Sequence, residues 1–88
     1  MNVQKIFNAL MEDQGNSALG IICTELENQS YQVELNGIKV TGVGFFNDEH
    51  NDIEQSINPL NVTLFKNDQI DQKFVIEFVD FHEIIIKK

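Results

Sequence analysis

The chain has 88 residues, with 14 acidic residues against six lysines and no arginine, so its formal net charge at pH 7 is −8. This charge repels phosphate backbones and anionic lipids, which argues against direct binding to nucleic acids or membranes and favours a basic protein partner. An apolar fraction of 42% suffices for one globular domain over residues 1–88, near the smallest size that folds alone.

Two features predict a cytoplasmic location. The amino-terminal residues lack the basic region, the long apolar stretch and the small-residue cleavage site of a signal peptide. Cys23 is the only cysteine, so no disulfide can form within the chain, which suits a reducing compartment.

Two helices are predicted before the first clear turn. Over residues 2–14, apolar side chains recur at the spacing of one helical face, and Gly15 can end the helix. Residues 17–28 predict a second helix. A buried strand is the alternative for this segment, because in a short apolar run the spacing of the apolar residues does not distinguish a helix from a strand. The apolar residues at helical spacing in it are Leu19, Ile22, Cys23 and Leu26.

The dipeptide Asn36-Gly37 predicts a tight hairpin over residues 31–42, because both central positions of such a turn need a positive φ. The second strand is expected to continue through residues 43–46, with its glycines allowing a bend or bulge. A two-residue loop places Leu35 opposite Ile38 and Val33 opposite Val40, with all four side chains on one face of the hairpin.

The carboxy-terminal half predicts three more strands. Residues 60–66 alternate apolar and polar side chains, and residues 67–72 are expected to form a turn. Continued unbroken to the end of the chain, the next strand would be about 50 Å long, whereas a domain of this size is about 30 Å across. A tight turn near residues 80–83 is therefore expected between a strand at 73–79 and a last strand at 83–87.

This order of a strand, a single helical turn and a strand resembles the end of small SH3-like and Sm-like barrels. The predicted fold is α+β, with one or two amino-terminal helices packed on a curved antiparallel sheet of about five strands. An open sheet and a small closed barrel are both compatible with these elements.

The stretch NDEHND at residues 47–52 combines carboxylates with His50 in a polar loop. It fails the EF-hand pattern at the third, sixth and twelfth positions, and a closed zinc site would need four ligands on fixed elements. No metal site is therefore predicted. The more specific hypothesis is a negative patch that docks on a basic protein. Its acidic residues are Asp48, Glu49, Asp52 and Glu54.

Two phenylalanines complete the predicted partner-binding surface. Phe65 and Phe81 lie opposite the faces that the alternation assigns to the core. Exposed aromatic side chains are typical of protein interfaces, so we expect these two to belong to a contact surface if they are exposed.

No catalytic residue is predicted. His82 follows Asp80 by two positions, but no serine or cysteine in a recognisable catalytic motif accompanies them. Cys23 lies in an apolar run and is expected to be an inert packing residue. The glycine patterns that bind phosphates or dinucleotides are absent, so no cofactor is expected.

Three functional hypotheses remain. The first is a non-catalytic intracellular protein-binding module, such as an adaptor, an inhibitor or an accessory protein of a bacterium, phage or mobile element. The second is a structural homo-oligomer formed by edge-strand pairing through residues 60–66 or 83–87. The third is a small metal-binding protein or enzyme that uses His50 or His82 with neighbouring carboxylates.

Overall fold

A computed structural model describes residues 19–47, 49–50, 58–79 and 84–87. Within these ranges the chain forms two helices and five strands. In chain order they are α1 (Leu19–Asn28), β1 (Gln32–Leu35), β2 (Ile38–Val40), α2 (Gly42–Phe46), β3 (Leu60–Lys66), β4 (Gln69–Phe78) and β5 (Ile84–Lys87).

The strands form one antiparallel sheet in the order β2-β1-β3-β4-β5, and the helices pack on it. This arrangement confirms the predicted α+β class and the five-stranded antiparallel sheet. The sheet is open, with β2 and β5 at its edges, so the alternative of a small closed barrel is not realised. The predicted helix at 2–14 lies outside the described residues.

Helix α1 confirms the helical prediction for residues 17–28 over its described part, and the alternative of a buried strand is wrong. The helix buries one apolar face against the sheet, as the spacing predicted. Its buried residues are Leu19, Gly20, Ile22, Cys23 and Leu26.

The first hairpin has the predicted register, with Leu35 opposite Ile38. Asn36 and Gly37 both have a positive φ, 52° and 80°, as the two-residue turn requires. Ile38, however, is 52% exposed, although it was expected to share the core face. It lies beside the turn on β2, which has a neighbour on only one side among the described strands.

The expected continuation of the second strand through residues 43–46 is wrong, because this segment forms helix α2. The glycines serve a close helix–helix contact instead of a strand bend. A methyl group on Gly42 would collide with Thr24 Oγ1 and lie 3.0 Å from the carbonyl oxygen of Gly20 in α1. Strand residues with side chains could not approach α1 so closely.

The second hairpin has a shorter turn than the sequence predicted. Strand β3 covers the predicted residues 60–66, but β4 begins at Gln69, so the turn consists of Asn67 and Asp68. Both have a positive φ, 53° and 64°, which these residue types tolerate. The early part of β4 is exposed on both faces, with Ile70 58% exposed, so its sequence carries no alternation that marks a strand.

The chain reverses after β4, as the length argument predicted. Strand β4 ends at Phe78 and β5 returns beside it, with Phe78 opposite Ile84 and Val75 opposite Lys87. Asn58 binds the end of β4, because its side chain accepts from the Phe78 N–H at 3.2 Å and donates to the Phe78 carbonyl at 3.3 Å. The predicted turn at 80–83 itself lies outside the described residues.

One apolar layer between α1, α2 and the sheet forms the core. The other face of the sheet mixes polar and apolar side chains, and it carries Glu34, Thr63 and Lys73 in one row across β1, β3 and β4. The buried apolar residues of the described chain are Leu19, Ile22, Cys23, Leu26, Val33, Leu35, Val40, Phe45, Leu60, Val62, Leu64, Phe74 and Ile76.

Candidate protein-interaction surface

Helix α2 presents two large apolar side chains to solvent. Val43 is 67% exposed and Phe46 is 63% exposed, which are the largest exposed fractions among the large hydrophobic residues of the described chain. Three positions apart, they lie on the same side of the helix. The opposite side is buried by Gly42, Gly44 and Phe45. The helix therefore has one face in the core and one apolar face in water.

Two glycines bring α2 into close contact with α1. The absence of side chains at Gly20 and Gly42 lets the helices meet, since a methyl group on Gly20 would lie 3.0 Å from Phe45 Cβ. Thr24 donates its hydroxyl hydrogen to the Gly20 carbonyl at 3.0 Å, which keeps this hydroxyl within α1. Close packing of this kind leaves little room for α2 to shift.

Two side chains cap the amino-terminal end of α2. The Thr41 hydroxyl oxygen accepts from the Gly44 N–H at 2.9 Å, and a Glu27 carboxylate oxygen accepts from the Gly42 N–H at 2.9 Å. A carboxylate here satisfies a free N–H group and lies at the positive end of the helix dipole. Since Glu27 belongs to α1, this bond also joins the two helices.

The residues after α2 fold back over its carboxy-terminal end. The Asn47 N–H donates to the Val43 carbonyl at 3.0 Å, and the Glu49 N–H donates to the Gly44 carbonyl at 2.8 Å. The Glu49 side chain is exposed. The structure therefore places a carboxylate directly after the helix that exposes Phe46.

His50 packs beneath this segment. Its ring lies edge-on to Phe45, with 5.1 Å between ring centroids, and a methyl group on Gly44 would collide with it. The Thr41 N–H points to His50 Nε2 at 3.4 Å, so this nitrogen serves as an acceptor. His50 is half-buried as a packing residue. Among the described residues, no three histidine, cysteine or acidic side chains are grouped so that they could hold a metal ion.

No family model, curated protein or solved structure matches this chain. Its surfaces are therefore interpreted from their own chemistry.

The predicted partner-binding residues are only partly brought together. Glu49 lies beside α2, whereas Phe65 is half-buried in the sheet, paired with Gln32 on β1 and Ile70 on β4. Phe65 lies on the face of the sheet opposite the core, as the alternation predicted, and part of its side chain is exposed there. The other predicted residues lie outside the described residues; they are Asp48, Asp52, Glu54 and Phe81, and His82 lies there too.

Sequence reasoning missed Val43 and Phe46 because it assigned them to a strand. The run GVGFF contains a pattern of small and bulky residues that could have identified these two as exposed. Read as a helix, it places its two glycines and Phe45 on one side and Val43 with Phe46 on the other. Small residues on one side of a short helix permit close packing there and leave the bulky side chains facing outward.

The outer face of the sheet has a different character. Three of the six lysines lie there, namely Lys39, Lys73 and Lys87, with Glu34 and Glu77 between them. Lys87 Nζ forms an ion pair with Glu77 Oε1 at 2.7 Å. A shallow, open depression on this face is lined by polar groups that include Asn61, Thr63 and Lys73. This surface carries charges of both signs, unlike the apolar face of α2.

Two further observations concern Cys23 and the length of the helices. Cys23 is 2% exposed in the core, as expected for a packing thiol. Within the described part of the chain, no helix has the length and apolar character needed to cross a membrane.

Proposed function

We propose that this protein is a non-catalytic binding module that holds a basic partner protein against α2 and the acidic segment that follows it. The observation that carries the proposal is the exposure of Phe46 and Val43, 63% and 67%, on a helix that is otherwise fixed in the core. An exposed aromatic residue on a rigid support is the usual anchor of a protein interface, because little entropy is lost when it is covered.

Charge defines the class of partner. Glu49 is exposed next to this helix, and Asp48, Asp52 and Glu54 follow in the sequence with no basic residue between Lys39 and Lys66. Apolar side chains with acidic neighbours fit a partner that has an apolar pocket surrounded by lysine or arginine. The chain's net charge of −8 would also accelerate encounter with such a partner.

The same charge argues against nucleic acids and anionic membranes as ligands of this surface. A cytoplasmic location is part of the proposal and is supported by the presence of a single cysteine, Cys23, which is buried. The action would be stoichiometric, as in an adaptor or an inhibitor.

The proposal is tested by capture from host lysate with matched variants as bait. The baits are the wild-type chain, Phe46→Ala, Glu49→Lys and the control Ile70→Ala, which removes a comparably exposed side chain from the β3–β4 hairpin. We expect the wild-type and control baits to retain the same basic protein in stoichiometric amount, and the other two to lose most of it.

Titration of the purified partner would then quantify the effect. A central aromatic anchor contributes about 2 kcal/mol or more, so Phe46→Ala should weaken binding by at least roughly 30-fold. Added salt should weaken the wild-type complex further. A partner retained equally by all four baits, or no stoichiometric partner at all, would contradict the proposal.

A further inference from the structure

The turn between β1 and β2 contains an asparagine in a chemically labile setting. Of all the asparagines in the sequence, only Asn36 is followed by a glycine. Both turn residues are exposed, and apart from the chain neighbours nothing lies within 4 Å of the point where a Cβ of Gly37 would be. No side chain therefore shields the backbone nitrogen of Gly37, and this nitrogen can act as a nucleophile towards the Asn36 side-chain amide.

Asn61 in β3 holds Asn36 in place. The Asn36 Oδ1 atom accepts from the Asn61 backbone N–H at 2.8 Å and from the Asn61 side-chain amide at 3.3 Å. The Asn36 backbone N–H donates to the Asn61 carbonyl at 2.8 Å. These three hydrogen bonds fix both the backbone and the side chain of Asn36 relative to β3.

We propose that Asn36 is a site of spontaneous deamidation, with the Gly37 backbone nitrogen as the nucleophile, and that pairing with Asn61 blocks the reaction until the turn opens. The modification needs only water, and it does not depend on the partner-binding function proposed above. Asn36 thereby becomes a chemical record of how often the β1–β2 turn opens.

The geometry of ring closure explains the block. The reacting carbon, Asn36 Cγ, must come within about 3–3.5 Å of the Gly37 nitrogen in the correct orientation. The five-membered ring also fixes the rotation about the Cα–C bond of Asn36 at a value far from that of the turn. While Oδ1 is bonded to Asn61, the side chain is not free to make this rotation. Conversion therefore passes through a locally opened state.

The reaction balances without an oxidant or a cofactor. The Gly37 nitrogen gives its proton to solvent and forms a bond to Asn36 Cγ, and the side-chain amide leaves as ammonia. Water then opens the succinimide ring at one of its two carbonyl groups. Opening at the backbone carbonyl leaves an isoaspartyl linkage through Cγ, whereas opening at Cγ leaves an ordinary aspartyl residue.

The two products should affect the hairpin differently. An aspartate at position 36 keeps the backbone unchanged, and its carboxylate can still accept from the Asn61 N–H. An isoaspartyl linkage adds a methylene group to the main chain inside a two-residue turn, which disturbs the pairing of Leu35 with Ile38. The isoaspartyl protein should therefore unfold at lower urea than the variant Asn36→Asp.

The experiment follows conversion by mass spectrometry of proteolytic peptides from the full chain, incubated at mildly alkaline pH in buffer and in unfolding urea. Asn67 is an internal control, because it occupies a similar turn with positive φ but is followed by Asp68, whose side chain obstructs the attack. An unincubated sample corrects for conversion during digestion. The ratio of the two rates within one sample cancels the effect of urea on the chemistry.

We expect Asn36 to convert much faster than Asn67 in urea. In buffer, conversion of Asn36 relative to Asn67 should fall by at least about tenfold, the factor that corresponds to about 1.4 kcal/mol of local opening free energy. Rates at Asn36 and Asn67 that are equal in urea would overturn the site. A ratio that is the same in buffer and in urea would overturn the block.

Two variants test the role of Asn61. In buffer, Asn61→Ala should convert about two- to fivefold faster at Asn36, because one of the two hydrogen bonds to Oδ1 is lost. The control Thr63→Ala, also on the outer face of β3, should convert at the wild-type rate. Both variants should match the wild type in urea, and circular dichroism would check that they fold. Asn61→Ala that converts no faster than Thr63→Ala in buffer would overturn the role of the Asn61 side chain.

Discussion

The two faces of the sheet differ in how their surfaces are made. On one face, α1 and α2 cover a layer of fully buried side chains and touch each other at backbone distance through glycines. On the other face, lysines, glutamates and a threonine lie in water without a covering element among the described residues. This comparison shows that the small domain concentrates its buried core on one side of the sheet, whereas among the described residues no element covers the other side or pairs with the outer edges of β2 and β5.

The largest expected contrast is between neighbouring residues of β3. Leu64 is fully buried and Thr63 points to the outer face. Leu64→Ala should lower the free energy of unfolding by about 3 kcal/mol, because it removes buried surface and leaves a cavity. Thr63→Ala should cost at most about 1 kcal/mol through lost strand propensity. Urea unfolding of both variants measures the difference, and equal losses would contradict a one-sided core.

The helix–helix contact gives the next largest effect. Gly42→Ala should destabilise the protein by roughly 2 kcal/mol, because overpacking against Thr24 outweighs the better helix propensity of alanine. The double variant Gly42→Ala with Thr24→Ala should recover part of this loss, since the colliding hydroxyl is gone. Thermal unfolding of the single and double variants tests this, and a stabilised Gly42→Ala would show that the helices do not meet closely.

This contact also explains where sequence reasoning failed. Only Thr41 separates α2 from strand β2, and the helix contains two glycines, which weaken any helical pattern. The helix forms because Thr41 and Glu27 cap it and because α1 accepts it at close range. The Thr41 cap is local, but the Glu27 bond spans 15 residues and the packing on α1 is tertiary, so no local pattern reveals these two contacts. The exposure of Phe46 was therefore hidden as well.

The two hairpins show the same principle for turns. Asn36-Gly37 predicted its strands with the correct register, because few dipeptides take a positive φ at both positions so readily. Asn67-Asp68 adopts a similar conformation but is a weaker signal, and the exposed strand that follows lacks alternation. Sequence therefore predicted the fold class and the core faces of α1, β1 and β3. It did not predict the extent of β4 or the surface of α2.

The capping bond between the helices should have a smaller effect. Glu27→Gln should lower stability by about 1 kcal/mol, because a neutral amide interacts less well with the Gly42 N–H and the helix dipole. Glu25→Gln is the matched control, since Glu25 is exposed on the same helix. Both changes remove one negative charge, so only the difference between their unfolding free energies reports on the cap. Equal values would show that the carboxylate contributes nothing specific to α2.

The smallest effect is expected on the outer face, at the ion pair between Lys87 and Glu77. Its length of 2.7 Å would suggest a strong interaction, but the two side chains are 57% and 41% exposed, so water and salt screen it. A double-mutant cycle with Lys87→Met and Glu77→Gln should give a coupling energy below about 0.5 kcal/mol in dilute, monomeric protein. A coupling well above about 1 kcal/mol that persists at high salt would mean that this face is less open to solvent than the structure indicates. Both faces would then stabilise the protein, and they would differ only in that packing does so on one face and the ion pair on the other.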